Sequence, residues 1–251
     1  MKIALLGFGG MGKVVRTIAL ERGHEVPVIV DPSAKEATAA KFDAAALKGI
    51  DVVIDFSSGD AVFENAKICA EAGVNLVIGS TGWYKKLDEL KKEMASSKIG
   101  WMWSSNFSIG VNMYFKIVEA AAKLVNKFDE YDVWGTEIHH YNKADSPSGT
   151  AKTLEKILLE NIERKTAVVE DKLDRKREMN EIHFSSVRGG LVNFGHTIGF
   201  DSAADRITIT HEARCRDGYA LGAVKAAEWI VSKKGYFEME DFLKNAGVNL
   251  V

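Results

Sequence analysis

The sequence predicts an α/β protein: a doubly wound parallel sheet in the first half, and a second α+β half with an open mixed sheet. Three observations predict it. Short apolar runs alternate with helical stretches as far as residue 108. A glycine-rich turn directly follows the first of these runs. Beyond residue 108 the later apolar runs follow one another and alternate with polar residues, as half-exposed strands do.

The elements follow in order. Residues 2–6 are a strand-length apolar run, ending in Gly7, Phe8, Gly9, Gly10, Met11 and Gly12. An amphipathic stretch from Lys13 to Arg22 follows and Gly23 closes it. Glu25 to Val30 reads as a second strand ending at Asp31. Val52 to Phe56, Leu76 to Ile78 and Ile99 to Trp103 read as three more strands, with helical periodicity over Ala61 to Ala72 and Leu87 to Ser96. After Gly110 come a long apolar-rich helix, Val111 to Lys127, and a strand, Tyr131 to His139. A helix from Pro147 to Asn161 follows, then a charged segment, Lys165 to Asn180, that reads as a solvated excursion. Glu181 to Val187, Val192 to Phe200 and Asp205 to Ala213 read as an antiparallel-prone sheet. A final helix, Tyr219 to Ser232, precedes a tail. The expected domains are 1–108, with 217–251 returning to it, and 109–216.

Composition bounds the function. The chain has 251 residues, 46% hydrophobic and 27% charged, as ordinary globular proteins do. A net charge of −2 gives no footprint for nucleic acid. Cys69 and Cys215 lack metal-like spacing and read as buried free thiols in a reducing cytoplasm. No signal peptide is expected, and Ile3 to Phe8 is too short to span a bilayer. Trp83, Trp101, Trp103, Trp134 and Trp229 read as packing residues, and Lys85, Lys86, Lys91 and Lys92 as a solvated helix face.

Gly7, Gly9 and Gly12 match G-x-G-x-x-G between a predicted strand and a predicted helix. The first permits a tight turn, the second lets backbone approach a pyrophosphate, and the third lets helix and strand pack closely. The helix N-terminus then offers free N–H groups to the phosphates. Asp31 lies about 20 residues on, where a carboxylate accepts from both ribose hydroxyls and repels a 2′-phosphate. Pro32 supplies no cation to offset that, so NADH is accommodated; Lys35 would serve NADPH, and the choice stays open. Gly79, Ser80, Thr81 and Gly82 follow one strand, and Ser104, Ser105, Asn106 and Phe107 the next. Both segments suit backbone contacts to the nicotinamide end, and both also suit plain turns.

The segment Glu137 to Ala151 carries the densest chemistry. Pro147 suits the first position of a helix, with Asp145 or Ser146 as its cap. The N–H groups of Ser148, Gly149 and Thr150 then point outward as a carboxylate cradle. Lys143 sits just upstream as a mobile positive charge. His139 and His140 end the predicted strand and offer groups that exchange protons near neutral pH. Neighbours in a strand face opposite sides, so both serve one pocket only if the chain bends. Adjacent histidines with no third ligand at useful spacing make a poor metal site.

These residues resemble the dihydrodipicolinate reductase family. The resemblance runs through the glycine loop, Gly79 to Gly82, Ser105 to Asn112, Glu137 to Ala151, Arg188 to Gly190, Gly195 to Thr197 and Thr210 to Arg216. It implies an N-terminal Rossmann domain, a substrate domain with an open mixed sheet, and a homotetramer joined through that sheet. It implies that His139 is the proton donor/acceptor and Lys143 a second proton donor. By the same resemblance His140, Gly149, Thr150 and Arg216 contact the substrate, a small dicarboxylate, and the cofactor is NADH, NADPH or both. The glycine loop is one residue shorter than the family's arginine-containing version, and Pro32 stands where some members carry a basic residue. Two other readings fit the same plan: another NAD(P)-dependent amino-acid or semialdehyde dehydrogenase, and a non-catalytic dinucleotide-binding redox sensor.

Overall fold

The computed structural model describes residues 1–39 and 41–247. The described residues form two compact units, Met1–Ile109 together with residues 216–247, and Gly110–Cys215. In chain order the elements are β1 (Lys2–Leu6), α1 (Gly10–Glu21), β2 (Glu25–Val30), β3 (Val52–Asp55), α2 (Val62–Ala72), β4 (Asn75–Ile78), α3 (Leu87–Glu93) and β5 (Gly100–Trp103). Then come α4 (Ile109–Val125), β6 (Asp132–His139), α5 (Gly149–Asn161), β7 (Ala167–Val169), β8 (Glu181–Arg188), β9 (Phe194–Asp201) and β10 (Arg206–Ala213). The last elements are α6 (Asp217–Ile230), β11 (Gly235–Phe237) and α7 (Met239–Asn245).

The first unit is a parallel sheet in the order β11-β5-β4-β3-β1-β2. Its central strands are buried on both faces, as parallel sheets require. Ile3, Leu5, Val52 and Ile54 pack against α1, α6 and α7 on one side. Ala4, Leu6, Val53 and Leu76 pack against α2 and α3 on the other. The strand ends are in register: Leu6 pairs with Val30 and with Asp55, Asp55 with Ile78, and Ile78 with Trp103. The loops carrying Gly7, Asp31, Gly79 and Ser104 therefore all leave one edge of the sheet. The strand order reverses at β1, so the glycine loop sits at the switch point where such sheets bind ligands.

The second unit is a mixed sheet, β10-β9-β6-β8-β7. β6 runs antiparallel to β9 and parallel to β8. Val133, Ile182, Phe184, Ile198 and Phe200 pack under Tyr114, Val118 and Ala122 of α4 and Ala151, Leu154 and Leu158 of α5. Gly135 lies under the Phe184 ring, 2.3 Å from where a Cβ would stand.

Several expectations are corrected. The last three runs alternate in direction within the expected mixed sheet, but they are not adjacent throughout, because β6 lies between β8 and β9 and pairs in parallel with β8. The excursion from Lys165 is anchored, not solvated throughout. Lys165 is buried and its Nζ donates to Asp132 Oδ1 and the Met179 carbonyl, both at 2.6 Å, while β7 adds an edge strand to β8. The tail contains β11 and α7, which extend the first sheet and its core. Cys69 is buried, but Cys215 is exposed. Among the described residues no helix is long and apolar enough to cross a membrane.

Candidate active site

The glycine loop is built as its spacing demands. Gly7 has φ +82°, and a Cβ on it would lie 2.4 Å from the Phe56 carbonyl oxygen. A Cβ on Gly12 would lie 2.1 Å from the Gly7 oxygen. Gly9 faces open space, so a ligand can reach its backbone. It caps α1 without a side-chain acceptor, so the first amides of α1 stay available to an anion. The Arg216 guanidinium lies at this loop, 2.7 Å from a Cβ built on Gly10. That neighbourhood is the glycine loop's, whereas the resemblance puts Arg216 at the substrate. Met11, between them, packs against the first unit's core.

Asp31 braces the same loop. Its Oδ2 accepts from the Phe8 amide at 2.6 Å, and its Oδ1 from the Ser33 amide and hydroxyl, both at 2.8 Å, and the Ala34 amide at 3.0 Å. These bonds, led by Phe8, lower its pKa to about 2. A fixed negative charge at the end of β2 suits ribose hydroxyls. Of the other loop residues, Phe8, Ser80 and Phe107 have buried side chains and leave only backbone to a ligand. The Ser80 hydroxyl donates to Asp55 Oδ1 at 2.9 Å, and its carbonyl accepts from the indoles of Trp83 at 2.8 Å and Trp103 at 3.3 Å. Ser104 closes a turn, accepting from the Asn106 amide at 3.1 Å. Thr81 and Ser105 are exposed beside them. Sequence reading missed Asp55. It is fully buried and takes donors from Ser57, Asn65 and Ser80, which fastens the loops after β3 and β4.

In the second unit the helix begins later than expected. Ser148 itself caps α5, its Oγ accepting from the Ala151 amide at 3.1 Å, so Asp145 and Ser146 are not the cap and Pro147 lies outside the helix. The Ser148 amide is not free either, because it donates to Glu137 Oε1 at 3.0 Å. The cradle is narrowed to Gly149 and Thr150, whose amides have no acceptor inside the helix. Gly149 faces open space.

Glu137 carries no role in the reading of the sequence alone. Its side chain is fully buried, two residues before His139 on the same face of β6. Register supplies its neighbours: Ser186 on β8 and His196 on β9 both pair with Glu137, and Arg188 pairs with His139. Oε1 accepts from the Ser148 amide, Ser186 Oγ at 2.7 Å and Arg188 Nη2 at 2.8 Å. Oε2 lies 3.1 Å from His139 Nδ1 and 3.4 Å from His196 Nε2, and neither contact has hydrogen-bond alignment. Burial opposes the charge on Glu137, but His196, Ser148, Arg188 and Ser186 outweigh it and hold the carboxyl well below the usual range. His139 is lowered to about 4, first by burial, then by His196, Lys143 and Arg188, with Glu137 pulling the other way.

Lys143 is held by Asp145 at 2.7 Å, and the Asp145 carbonyl accepts from Arg188. His140 is half-buried where the chain turns, and its carbonyl accepts from the Lys143 amide at 3.1 Å. Glu137, His139 and His196 offer ligand atoms within 4.8 Å of one another, a spacing a metal ion could use. The Arg188 guanidinium already on that carboxylate would stand against the ion's charge. The chemistry the arrangement supports is proton transfer beside an anion site.

Comparison with known proteins follows the same division. The family model described as dihydrodipicolinate reductase, N-terminus, matches residues 1–107, and the one described as dihydrodipicolinate reductase, C-terminus, matches residues 110–243. The 4-hydroxy-tetrahydrodipicolinate reductase of Christiangramia forsetii is 38% identical over 248 residues, 98% of each chain. That of Archaeoglobus fulgidus is 38% identical, covering 97% of this chain and all of its own. A solved structure of dipicolinate-bound dihydrodipicolinate reductase from Paenisporosarcina sp. TG-14 shares the fold, with TM-score 0.75 and 22% identity over 95% of this chain and 97% of that one. With both halves matched in order and two relatives aligned end to end, the chain belongs to the dihydrodipicolinate reductase family.

Proposed function

We propose that this chain reduces 4-hydroxy-tetrahydrodipicolinate, a cyclic unsaturated dicarboxylate, to tetrahydrodipicolinate with NADH or NADPH, as a step of lysine and diaminopimelate biosynthesis. Family membership supports the reaction. The observation that carries its chemistry is the junction at Glu137, where a buried imidazole and a helix N-terminus share one carboxylate.

The first unit's glycine cradle fits a dinucleotide, with Gly7, Gly9, Gly10 and Gly12 at the pyrophosphate, Asp31 at the ribose and Arg216 as a counter-charge beside Gly10. Gly79, Thr81, Ser104, Ser105 and Asn106 then line the path of the nicotinamide end, with Ser80 and Phe107 bracing it. When bound, the reduced nicotinamide supplies a hydride. The amides of Gly149 and Thr150 hold a substrate carboxylate, with His140 and Lys143 beside it. Water is lost first, the hydroxyl from its ring carbon and a proton from the next, which leaves a C=C bond conjugated to the imine (dihydrodipicolinate). As hydride then adds at the carbon that carried the hydroxyl, the electron pair displaced through the conjugated ring takes a proton at the next carbon. His139 delivers that proton and Lys143 supports the developing charge. Dipicolinate, a flat dicarboxylate without a reducible bond of this kind, should occupy the site unreacted.

The test is steady-state turnover of the pathway intermediate with each reduced cofactor. His139→Gln should lower kcat by about 10²–10⁴-fold while leaving cofactor affinity near wild type. Near-wild-type kcat in that variant removes His139 from the mechanism. No turnover by the wild-type chain removes the reaction itself, and tight cofactor binding without turnover would then favour a redox sensor.

The assembly we propose is a homotetramer joined through the second sheet, on the face away from α4 and α5. Ile138 and Val187 are cross-strand partners there, 36% and 47% exposed. A cytoplasmic setting accords with the two unpaired cysteines.

A further inference from the structure

We propose that Glu137 is the positioning residue of this site: one oxygen takes the Nδ1 proton of His139 and the other takes the Ser148 amide, so one carboxylate sets the proton donor and the anion cradle together. The inference rests on the reading of His139 as the proton donor.

Two buried atoms motivate it. Glu137 Oε2 and His139 Nδ1 lie 3.1 Å apart, and neither has a hydrogen-bond partner. A proton on Nδ1 turned toward Oε2 satisfies both at once. The other tautomer would leave a nitrogen lone pair facing a carboxylate in a closed interior, the costlier choice. Fixing the proton on Nδ1 leaves Nε2 as the atom that gains and gives a proton at the substrate, and the carboxylate steadies the imidazolium that forms.

The second oxygen explains why the carboxylate can do this without becoming protonated. Oε1 already has three donors, Ser148 N–H, Ser186 Oγ and Arg188 Nη2. Those donors hold the group rigid and charged. They also tie it to the first turn of α5, through an amide that would otherwise join the cradle. His196 bridges the same parts, with Nε2 3.1 Å from Ser148 Oγ and 3.4 Å from Glu137 Oε2. A buried carboxylate wired in this way has a use beyond stability, because it fixes the distance from His139 to α5.

The experiment has two arms. In the first, ¹⁵N NMR of the wild-type, ligand-free protein reads the His139 ring. The expected result is a neutral ring protonated at Nδ1. A ring protonated at Nε2 overturns the proposal, and this reading needs neither turnover nor a variant. In the second arm, Glu137→Gln and Glu137→Asp are compared with His139→Gln and with the double variant Glu137→Gln/His139→Gln. Glu137→Gln should lower kcat at least about tenfold, with Glu137→Asp recovering part of the loss, and should raise the KM for the dicarboxylate but not for the cofactor. In the His139→Gln background the kcat loss should vanish while the KM rise persists, because only the first acts through His139. Multiplying kcat losses would mark Glu137 as a general fold support and overturn the proposal. If Glu137→Gln does not fold, the NMR arm decides alone. A wild-type chain without turnover would sink the proposed reaction and leave the tautomer result standing.

Discussion

Binding of a dicarboxylate should draw a proton onto His139. In the ligand-free site burial and the nearby His196, Lys143 and Arg188 lower its pKa to about 4. At pH 7 only about one ring in 10³ is then charged, so a donor that must begin as an imidazolium is not ready until the substrate arrives. A carboxylate placed about 4 Å away at an effective dielectric of about 20 contributes about 4 kcal/mol. That is about three decades in proton affinity, enough to bring the ring from about 4 to about 7. Roughly half a proton should therefore be taken up per site at pH 7 when dipicolinate binds. Calorimetric titrations in phosphate and in Tris give this number as the slope of observed enthalpy against buffer ionisation enthalpy. His139→Gln should flatten the slope. Zero uptake by the wild type, or equal uptake by His139→Gln, would refute the reasoning and require a donor charged before binding.

Four further outcomes are expected. Asp31→Asn removes the charge at the end of β2 and should move the NADPH-to-NADH preference about tenfold toward NADPH; an unchanged ratio of kcat/KM values separates Asp31 from cofactor choice. The folded pKa of Asp31, about 2, lies below its ordinary value of 3.8, so its share of stability is complete above about 4 and lost as pH falls toward 2, which acid melts of the wild type and Asp31→Asn would compare. Asp55→Ala strands the buried donors of Asn65 and Ser80 and the half-buried ones of Ser57 and should cost about 3–5 kcal/mol in urea melts, with weaker cofactor binding; a loss under about 1 kcal/mol would mean water replaces the carboxylate. Ile138→Asp with Val187→Asp should break the proposed tetramer in light scattering; an unchanged mass would place the subunit contacts elsewhere.

The first unit was legible because its signals are local. The turn at Gly7, the helix that follows the glycine loop and the charge at Asp31 each follow from a short stretch of sequence, although α1 begins at Gly10 and not at Lys13. The alternation of strand and helix carried the parallel order of β1 to β5. The sixth strand was missed because β11 is only Gly235–Phe237 and gains its place by pairing with β5, a partner distant in sequence. The segment after Lys165 was misread for a related reason. Its charges look solvated one by one, but Lys165 is buried by carbonyls and a carboxylate that lie far along the chain.

The candidate site in the second unit was half legible, and the missing half has one cause. His139, Lys143 and the start of α5 lie within one segment, so sequence brings them together. Glu137 sits in that segment too, and its spacing of two from His139 on a strand puts both on one face. That signal was present, but a strand glutamate close to a histidine also reads as an exposed residue until its burial is known. Ser186, Arg188 and His196 had no local signal, because β8 meets β6 in parallel and β9 meets it antiparallel. A purely antiparallel reading of the three runs would have placed other residues beside Glu137. The direction of β8 thus decides more than topology: it puts a hydroxyl and a guanidinium on the carboxylate that faces His139. A strand order is here a chemical statement, and a one-residue slip of β8 would turn Ser186 and Arg188 to the other face and leave Glu137 without two of the donors that keep it charged.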